Sequence, residues 1–346
     1  MKLLIVTQKV DKNDQNLGFF HRWIIEFAKN FELVTVICLE EGGHELPANV
    51  KVLSLGKVRG QSPKVKSRTS YGVNFYRFIW SERKNYDAVF VHMNPEYIIL
   101  GGCLWKILNK PITLWYTHKS VDLKLKIATA FADKIFTASK ESFRLKSSKI
   151  LVTGHGIDID TFSPAARIED TDRIISVGRI SPTKNQMVMI KAFEILKKNG
   201  FAGTLTMVGD AITKEDFEYR DRICKYVNEH GLKSDVILMG AMSHEGLPDL
   251  YRRASVFVNL SSTGSIDKAV LEAMACGLRI VTSNEAFKNI VSPESFTGTM
   301  PEEVAQKIGA VLSKSYPQSL RTYVEKNHSL QALIPLITSE IEALNK

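Results

Sequence analysis

Two basic residues close to a glycine could bind a diphosphate in the second half of the chain. An apolar run over 174–177 is followed by Gly178 and Arg179, and Lys184 comes five residues after Arg179, just before a predicted helix. An arginine can hold a phosphate through two parallel hydrogen bonds, and a lysine adds a point charge. The first amide groups of a helix also attract anions. We therefore expect Arg179 and Lys184 to act on a phosphorylated ligand, although this spacing also fits a solvated loop at a strand end.

A loop rich in glycine and hydroxyl groups precedes another predicted helix. It spans residues 261–267, and the helix begins near Asp267. Free backbone N–H groups and the helix dipole would make this loop a second anion site. Glu272, five residues beyond Asp267, could accept hydrogen bonds from both hydroxyl groups of a ribose, or it could be an ordinary exposed helix residue. Asp267 could likewise bind a sugar hydroxyl group or simply cap the helix.

Short apolar runs that favour strands alternate with helix-length amphipathic segments along nearly the whole sequence. In the first half we predict strands at 2–7, 33–38, 50–54, 88–92, 112–116, 134–137 and 149–153, and helices at 17–29, 71–84, 96–108, 123–131 and 140–145. In the second half we predict strands at 173–177, 204–208, 235–239, 255–259 and 279–282, and helices at 186–198, 214–230, 247–253, 268–276 and 301–312. The tail over 320–346 is predicted to be helical apart from Pro335. Continuous apolar strands separated by helices indicate parallel sheets that are covered on both faces.

This pattern predicts an α/β fold with two Rossmann-like, doubly wound domains of similar size. We place the domains at 1–163 and 164–327. Such folds bind ligands at the carboxyl ends of their strands, at the point where the strand order reverses. With two domains, the expected active site is the cleft between them.

The composition excludes several classes of protein. The chain has 346 residues, of which 44% are hydrophobic and 24% charged, so we expect neither a disordered nor a fibrous protein. No apolar run reaches the ~20 residues of a membrane-spanning helix, and the apolar run at the start is too short for a secretory signal. The four cysteines are far apart and form no C-x-x-C pair. These features predict buried thiols in a reducing cytoplasm rather than disulfides or a zinc site.

The net charge of +9 lies in the first half of the chain. Residues 1–163 have 24 Lys and Arg against 15 Asp and Glu, whereas residues 164–346 have 22 of each. Eight of these basic residues lie over 57–84, against Glu82 alone, and the part over 71–80 is strongly aromatic. A basic loop leading into an aromatic amphipathic helix is typical of binding to an anionic membrane surface. The alternative is that Phe75, Phe78 and Ile79 are core and the lysines are solvated; we expect no nucleic-acid partner.

Taken together and in this order, several motifs resemble the donor half of GT-B glycosyltransferases, specifically glycosyltransferase family 4. The match includes Val177-Gly178-Arg179, then Lys184, and Leu271-Glu272-Ala273-Met274-Ala275-Cys276-Gly277. His155-Gly156-Ile157-Asp158-Ile159-Asp160-Thr161-Phe162 resembles the N-G-V-D-x-x-x-F linker of this family. The resemblance covers most of the chain and is strongest over about 150–285. It implies a retaining sugar transfer from a UDP- or GDP-linked donor to a glycan or lipid-linked acceptor, with residues 328–346 packing back on the N-terminal domain.

The resemblance also implies roles for individual residues. Arg179 and Lys184 would hold the donor diphosphate and stabilise the charge that develops on it, and His118 would point at the donor sugar. Glu272 would bind the ribose. The other donor-binding residues implied are Gly18, Gly178, Gly209, Met239, Gly240, Gly264, Ser265, Ile266, Asp267, Lys268 and Leu271. His92, Asn94 and His155 are the candidates for contact with the acceptor.

The sequence departs from the family pattern at one important position. The family places two glutamates eight positions apart, and counting back from Glu272 gives Gly264, so the first glutamate is missing. Alternatives are therefore a nucleotide-sugar epimerase or a phosphorylase of the same fold, or a non-catalytic binder of sugar nucleotides. A dinucleotide dehydrogenase fits poorly, because no G-x-G-x-x-G follows the first strand. We expect no metal or other cofactor, since the D-x-D match Asp158-Ile159-Asp160 falls inside the linker motif.

Overall fold

The computed structural model describes residues 1–58, 65–164 and 172–346, with only the backbone of 65–68. The chain forms two compact units. Unit 1 comprises Met1–Gly156, Ser243–Glu245 and Ser329–Lys346, and unit 2 comprises Ile157–Met242 and Gly246–His328. The boundary lies earlier than the predicted 163/164, because Ile157 and Phe162 are buried in the core of unit 2.

Parallel strands form one sheet in each unit. Those of unit 1 are β1 (Lys2–Val10), β2 (Leu33–Glu41), β3 (Val50–Ser54), β4 (Ala88–His92), β5 (Ile112–Trp115), β6 (Lys134–Thr137) and β7 (Ile150–Val152). Those of unit 2 are β8 (Arg173–Val177), β9 (Thr204–Val208), β10 (Val236–Leu238), β11 (Val256–Asn259) and β12 (Arg279–Thr282). The strand orders are β3-β2-β1-β4-β5-β6-β7 and β10-β9-β8-β11-β12. The order reverses between β1 and β4 in unit 1, and between β8 and β11 in unit 2.

Helices follow most of the strands, as the alternation of the sequence predicts. They are α1 (Gly18–Asn30), α2 (Val65–Ser81), α3 (Pro95–Ile107), α4 (Leu123–Phe131), α5 (Gln186–Lys198), α6 (Lys214–Glu229), α7 (Leu247–Arg252), α8 (Lys268–Ala275), α9 (Pro301–Leu312), α10 (Gln318–His328) and α11 (Leu330–Leu344). Several begin at side-chain caps: Asp122 caps α4, Thr213 and Asp216 form a capping box on α6, and Ser329 caps α11.

Each sheet buries both of its faces. In β1, Leu3 and Ile5 belong to the core beside α1 and α11, whereas Leu4 and Val6 belong to the core beside α2, α3 and α4. In β8, Ile174 and Ile175 face the two cores of unit 2 in the same way. This packing explains why the strands are continuously apolar rather than alternating.

Three predicted helices differ from the structure. The helix predicted over 71–84 is α2, Val65–Ser81, which begins six residues earlier and ends three residues earlier. Residues 140–145 form only a 3-10 turn over Lys140–Ser142, because Ser139 caps it and Phe143 continues in an extended conformation into the core. The tail breaks at Ser329 rather than at Pro335, which lies inside α11. This break is also where the chain passes from unit 2 to unit 1.

Candidate functional site

The candidate site of unit 2 lies at the carboxyl ends of β8 and β11, on either side of the point where the strand order reverses. Gly178 and Arg179 follow β8, and the loop over 261–267 follows β11. Two hydrogen bonds link the segments: Ser262 N donates to Thr183 O at 3.0 Å, and Asn185 Nδ2 donates to Leu260 O at 2.9 Å. The structure thus brings together the two loops that the sequence identified separately.

Glycines allow three strand ends of the site to pack through their backbones. Gly178 N donates to Val208 O at 2.9 Å, and Gly209 N donates to Gly240 O at 2.8 Å. Gly209 has a φ of +133°, and a Cβ on it would lie 2.1 Å from Gly178 O. Position 209 therefore excludes every other residue unless the backbone moves.

Arg179 presents a half-exposed guanidinium group beside a buried carboxylate. Its side chain is 44% exposed, and its Nε lies 3.7 Å from Asp216 Oδ2. Burial opposes ionisation of Asp216, but hydrogen bonds from Thr213 and the charge of Arg179 outweigh burial and lower the pKa of Asp216. The backbone of Arg179 is fixed, because Gln186 Nε2 donates to its carbonyl oxygen at 2.9 Å.

Lys184 forms an ion pair with Asp267, the residue that caps α8. Asp267 Oδ2 also accepts a hydrogen bond from Asn259 Nδ2 at 3.1 Å, while Oδ1 accepts one from Ala269 N at 3.3 Å. Burial raises the pKa of the Asp267 carboxyl group, but the charge of Lys184 and these hydrogen bonds outweigh burial and lower it. The capping role considered for Asp267 is therefore present, together with a second role as the counter-ion of Lys184.

Glu272 is buried rather than an exposed helix residue. It is 3% exposed, its Oε1 lies 3.6 Å from Lys268 Nζ, and its Oε2 accepts a hydrogen bond from Tyr251 OH at 3.3 Å. Burial lowers the pKa of Lys268 to about 8, against the opposing effect of Glu272. A ribose that binds Glu272 must share this carboxylate with Lys268 and Tyr251.

The other predicted donor-binding residues of unit 2 differ in exposure. Met239 is 43% exposed, and Gly240 follows it with a φ of +71°. Ser265 O accepts a hydrogen bond from Asn284 Nδ2 at 2.8 Å, and Ile266 packs against the core. Leu271 is fully buried in that core, so its side chain packs within unit 2, and its contact with the donor stays a prediction.

The backbone conformation at Gly264 helps to explain why the glutamate of the family pattern is missing there. Gly264 has a φ of +59°, in the left-handed region that glycine adopts without strain. A glutamate in this conformation would cost about 1–2 kcal/mol of backbone strain unless the loop changed. The replacement is therefore part of the shape of this loop and not only the loss of a carboxylate.

The predicted residues of unit 1 occupy separate environments. His118 is exposed in the loop after β5, and His155 is half-buried after β7. Gly18 begins α1, where an added Cβ would lie 2.9 Å from Lys12 O. Asn94 Nδ2, after β4, donates to Gln8 Oε1 at 3.0 Å.

His92, a predicted acceptor contact, has a buried ring. Its ring is 1% exposed, stacks on Phe20 with a centroid distance of 3.9 Å, and has Nδ1 3.2 Å from Thr7 Oγ1. These contacts place the ring in the interior of unit 1, and its contact with an acceptor stays a prediction.

Sequence analysis missed three residues of the unit 2 site. They are Asp216, Asn259 and Tyr251, which contact Arg179, Asp267 and Glu272 respectively. The spacing of Thr213 and Asp216 is that of a capping box and could have identified Asp216. For Tyr251 the sequence has no comparable signal, since its contact depends on how α7 packs.

The described residues contain neither a metal cluster nor a membrane-spanning helix. In 1–58, 65–164 and 172–346, no three His, Cys, Asp or Glu side chains are grouped as a metal site. Asp158 is bonded within its own loop, where its Oδ2 accepts a hydrogen bond from Thr161 Oγ1 at 2.7 Å. Over the same ranges, every helix is too short or too polar to cross a bilayer.

Comparison with protein families and curated proteins relates the site to sugar transfer. Residues 158–328 match the family model described as glycosyl transferases group 1. The UDP-Gal:alpha-D-GlcNAc-diphosphoundecaprenol alpha-1,3-galactosyltransferase of Escherichia coli is 25% identical over 264 residues, which are 66% of this chain and 65% of that protein. The D-inositol 3-phosphate glycosyltransferase of Mycobacterium bovis BCG is 25% identical over 175 residues, 47% of this chain and 35% of that protein. The matches thus span less than two thirds of the length of these relatives.

Solved structures resemble the chain over nearly its whole length. A glycosyltransferase from Rickettsia africae ESF-5 has a TM-score of 0.75 at 17% identity and covers 100% of this chain and 99% of that one. Alr3699/HepE of Anabaena in complex with UDP has a TM-score of 0.72 at 16% identity and covers 99% of this chain and 100% of that one. At these identities the likeness shows the fold, and it confirms the predicted α/β class with two Rossmann-like domains, the GT-B fold.

Proposed function

Because residues 158–328 match the model of the glycosyl transferases group 1 family, we propose that this chain moves a sugar from a nucleotide-sugar donor to a glycan or lipid-linked acceptor. The observation that carries the proposal is the group of three basic side chains, Arg179, Lys184 and Lys268, at the switch point of the unit 2 sheet. The complexes of HepE with UDP favour a UDP-linked over a GDP-linked donor.

The basic side chains of the site are paired with carboxylates of the protein. They suit an anionic ligand that takes the place of those carboxylates. Asp216, Asp267 and Glu272 are the partners of Arg179, Lys184 and Lys268, so these six formal charges cancel without ligand. A donor diphosphate would replace Asp216 and Asp267 as the partner of Arg179 and Lys184. Charged hydrogen bonds of this kind contribute about 1.5–3 kcal/mol each.

In the proposed reaction, the bond between the anomeric carbon and the diphosphate oxygen breaks, and its electron pair leaves with the nucleoside diphosphate. Arg179 and Lys184 stabilise the charge that grows on that oxygen. The acceptor hydroxyl group forms the new bond on the same face of the sugar and passes its proton to the departing diphosphate oxygen, so the configuration is retained. His118 would contact the donor sugar, and no metal is required, since the cations and the amide groups of α8 neutralise the leaving group.

Unit 1 has the surface features expected of a domain that binds its acceptor at an anionic membrane. Phe75 and Ile79 are core, as the simpler interpretation predicts, but Val73, Tyr76 and Trp80 are 62%, 44% and 52% exposed on the same helix, α2. Arg83 lies over the Trp80 ring at 4.4 Å. Of the basic stretch 57–84, residues 59–64 and the side chains of 65–68 lie outside the described residues. These features support an enzyme of the cytoplasmic membrane face that binds peripherally.

A thermal-shift panel of nucleotide sugars, followed by an assay of nucleotide release, tests the proposal. We expect one donor to raise the melting temperature, because a ligand at a hundredfold excess over Kd stabilises by about 2.7 kcal/mol. Arg179→Ala should remove most of the shift and of the turnover. Arg222→Ala, at an exposed position of α6, is the matched control and should behave as wild type. Absence of any shift, or equal turnover in Arg179→Ala, would contradict the proposal.

The same assay separates the alternatives. An epimerase would convert the donor without an acceptor, and a phosphorylase would need inorganic phosphate instead of a nucleotide. A non-catalytic binder, which the glycine at position 264 suggests, would show the thermal shift but never release a product.

A further inference from the structure

Unit 1 contains a cavity at the carboxyl ends of its first strands. Its volume is about 400 Å³, within the range of about 300–1,000 Å³ that small-molecule sites occupy. Gln8 in β1 and Asn94, two residues after β4, both line it, so it adjoins the point where the strand order reverses. Ligands of doubly wound folds bind at such points. The other lining residues are Leu39, Leu55, Tyr71, Gly72, Phe75, Glu96, Tyr97 and Leu100.

The paired amide groups of Gln8 and Asn94 still have hydrogen-bonding atoms for a ligand. Asn94 Nδ2 donates to Gln8 Oε1 at 3.0 Å, and neither side chain forms another hydrogen bond with the described residues. Gln8 Nε2 therefore remains as a donor and Asn94 Oδ1 as an acceptor. Turning both amide groups over exchanges these roles but again leaves one donor and one acceptor. This pair is complementary to the N–H and C=O groups of a third amide.

The position of Asn94 supports a role in the cavity. It directly precedes α3, where an asparagine commonly caps the helix, but its side chain accepts no hydrogen bond from the first turn. The residue before it, Met93, has a φ of +66°, a left-handed conformation that is strained for methionine. Backbone strain of this kind occurs most often at functional sites. The Asn94 side chain therefore contributes to the cavity rather than to the helix end.

The apolar part of the cavity favours a ligand that has a hydrocarbon group. Three leucines and the ring of Phe75 offer no partner to a hydroxyl group. A hydroxyl group buried against them would lose its hydrogen bonds to water, whereas a methyl group would gain by leaving water. A plain sugar, whose substituents are all hydroxyl groups, therefore fits this part poorly.

The remaining polar residues of the cavity favour a neutral ligand that also carries hydroxyl groups. Tyr71 and Tyr97 have hydroxyl groups that form no hydrogen bond with another described residue. Burial raises the pKa of Tyr97, so its hydroxyl group keeps its proton. Among the described residues that line the cavity, only Glu96 is charged, and its Oε1 already accepts a hydrogen bond from Lys124 Nζ at 2.8 Å.

We propose that this cavity binds the acetamido group of an N-acetylated amino sugar, and that this sugar is the acceptor of the proposed transfer. The methyl group enters the apolar part, and the amide group bonds to Gln8 and Asn94. The hydroxyl groups of the sugar ring have Tyr71 and Tyr97 as partners. The role of acceptor rests on the proposed function, whereas binding of the acetamido group does not.

Ligand-observed NMR with simple sugars tests the binding without a nucleotide. N-acetylglucosamine and N-acetylgalactosamine are each compared with the parent hexose and the free amino sugar. We expect an acetylated sugar to bind about twentyfold more tightly than its parent hexose, about fourfold from the methyl group and about fivefold from one amide hydrogen bond. Saturation transferred from the protein should be strongest at the acetyl methyl protons. No binding, equal affinity of acetylated and parent sugars, or strongest saturation at ring protons would overturn the inference.

Two variants, Gly72→Leu and Asn94→Ala, should remove this preference. Gly72 lines the cavity from α2, and a Cβ added to it would meet no described atom within 4 Å, so leucine fills the cavity and improves the helix propensity of α2. Asn94→Ala removes one half of the amide pair. We expect both variants to bind the acetylated sugar only as well as wild type binds the parent hexose. Undiminished binding by either variant would overturn the inference.

Gly309→Leu is the matched control for the leucine variant. Gly309 is also a helix glycine whose added Cβ would meet no described atom within 4 Å, and it lies on α9 of unit 2. This variant should bind the acetylated sugar as wild type does. A loss equal to that of Gly72→Leu would show that the effect is not specific to the cavity and would contradict the proposal.

Titration of UDP and analysis of the products separate this inference from the proposed function. If UDP binds all variants and the acetylated sugars bind none, the sugar site is refuted while the donor site stands. If an acetylated sugar binds as expected and no nucleotide sugar is turned over, the proposed transfer is refuted and the sugar site remains. If transfer occurs but never to the acetylated sugar, its role as acceptor is refuted.

Discussion

Asp267 is central to the candidate donor site, because its carboxylate contacts a lysine, a side-chain amide group and the N-terminal end of a helix. Its carboxylate pairs with Lys184, accepts a hydrogen bond from Asn259, and caps α8. A diphosphate must therefore compete with Asp267 for Lys184. The affinity for the donor should therefore depend on the free energy needed to separate this carboxylate from Lys184.

Replacing Asp267 by asparagine should strengthen the binding of UDP. Asparagine caps helices as well as aspartate does, so α8 should remain stable while Lys184 loses its internal counter-ion. We expect the Kd for UDP to fall about tenfold, which corresponds to about 1.4 kcal/mol. Asp221→Asn, at an exposed position of unit 2, controls for the change in net charge. Weaker binding of UDP by Asp267→Asn would show that the carboxylate assists the donor instead.

Lys268 should make nucleotide binding depend on pH. Its pKa is lowered to about 8, so the free site loses this charge as the pH rises through 8. We expect the Kd for UDP to rise about tenfold between pH 7 and 9, because an anionic ligand prefers the protonated site. Lys268→Met should bind UDP weakly at both pH values and show no such inflection.

The stability of unit 2 gives an independent check on this titration. A lysine in the unfolded chain keeps its proton up to its ordinary pKa of 10.5, whereas folded Lys268 keeps it only up to about 8. Unfolding therefore takes up a proton between these values, and raising the pH should stabilise wild type relative to Lys268→Met. An identical pH dependence in urea unfolding of both proteins would show that the pKa of Lys268 is not lowered.

Among the elements, the ends of β8, β9 and β10 are held together by backbone contacts that leave no room for side chains. Gly209→Ala should destabilise unit 2 by more than about 2 kcal/mol and weaken UDP binding, because the new Cβ would lie 2.1 Å from Gly178 O. Gly240→Ala is the matched control. It also has a positive φ, but no described atom lies within 4 Å of an added Cβ, so only about 1–2 kcal/mol of backbone strain is expected. Denaturant unfolding and UDP titration of both variants test this, and equal effects would refute the close contact.

The elements themselves were largely predictable, whereas the directions of their side chains were not. Helix α5 has the predicted bounds, because its apolar periodicity and the turn before it are local features. On α8, the sequence offered both Leu271 and Glu272 as ligand contacts, yet consecutive helix residues point about 100° apart. Leu271 faces the core, and Glu272 meets Tyr251 from α7. That choice depends on packing between elements distant in sequence.

In the molecule as a whole, α11 completes unit 1 although it follows unit 2 in the chain. Ile337 is fully buried in the core beside α1, whereas its neighbour Leu336 is 39% exposed. Ile337→Ala should therefore destabilise unit 1 by about 2–5 kcal/mol, and Leu336→Ala by less than about 1 kcal/mol. In calorimetry, only the transition that UDP does not shift should move. A shift of the UDP-sensitive transition by Ile337→Ala would contradict the assignment of α11 to unit 1.

Alternation of strands and helices identified the two-domain class, but not where the chain divides. The chain first passes from unit 1 to unit 2 just before Ile157. Ile157 and Phe162 are apolar and would suit the core of either unit, so only their packing assigns them to unit 2. The last passage between the units, after those on either side of Ser243–Glu245, coincides with the cap at Ser329, which a single-sequence pattern does not distinguish from other serines.

This discontinuity has a consequence for the order of folding during synthesis. The ribosome makes most of unit 1 first, then all of unit 2, and only afterwards the helix whose Leu330, Leu333, Ile334, Ile337 and Ile341 fill the remaining side of the first core. Domains generally fold as units as they emerge. Unit 2 can thus reach its final structure while unit 1 still exposes an apolar groove beside α1. The part of the nascent chain that is made first should therefore need protection from aggregation for the longest time.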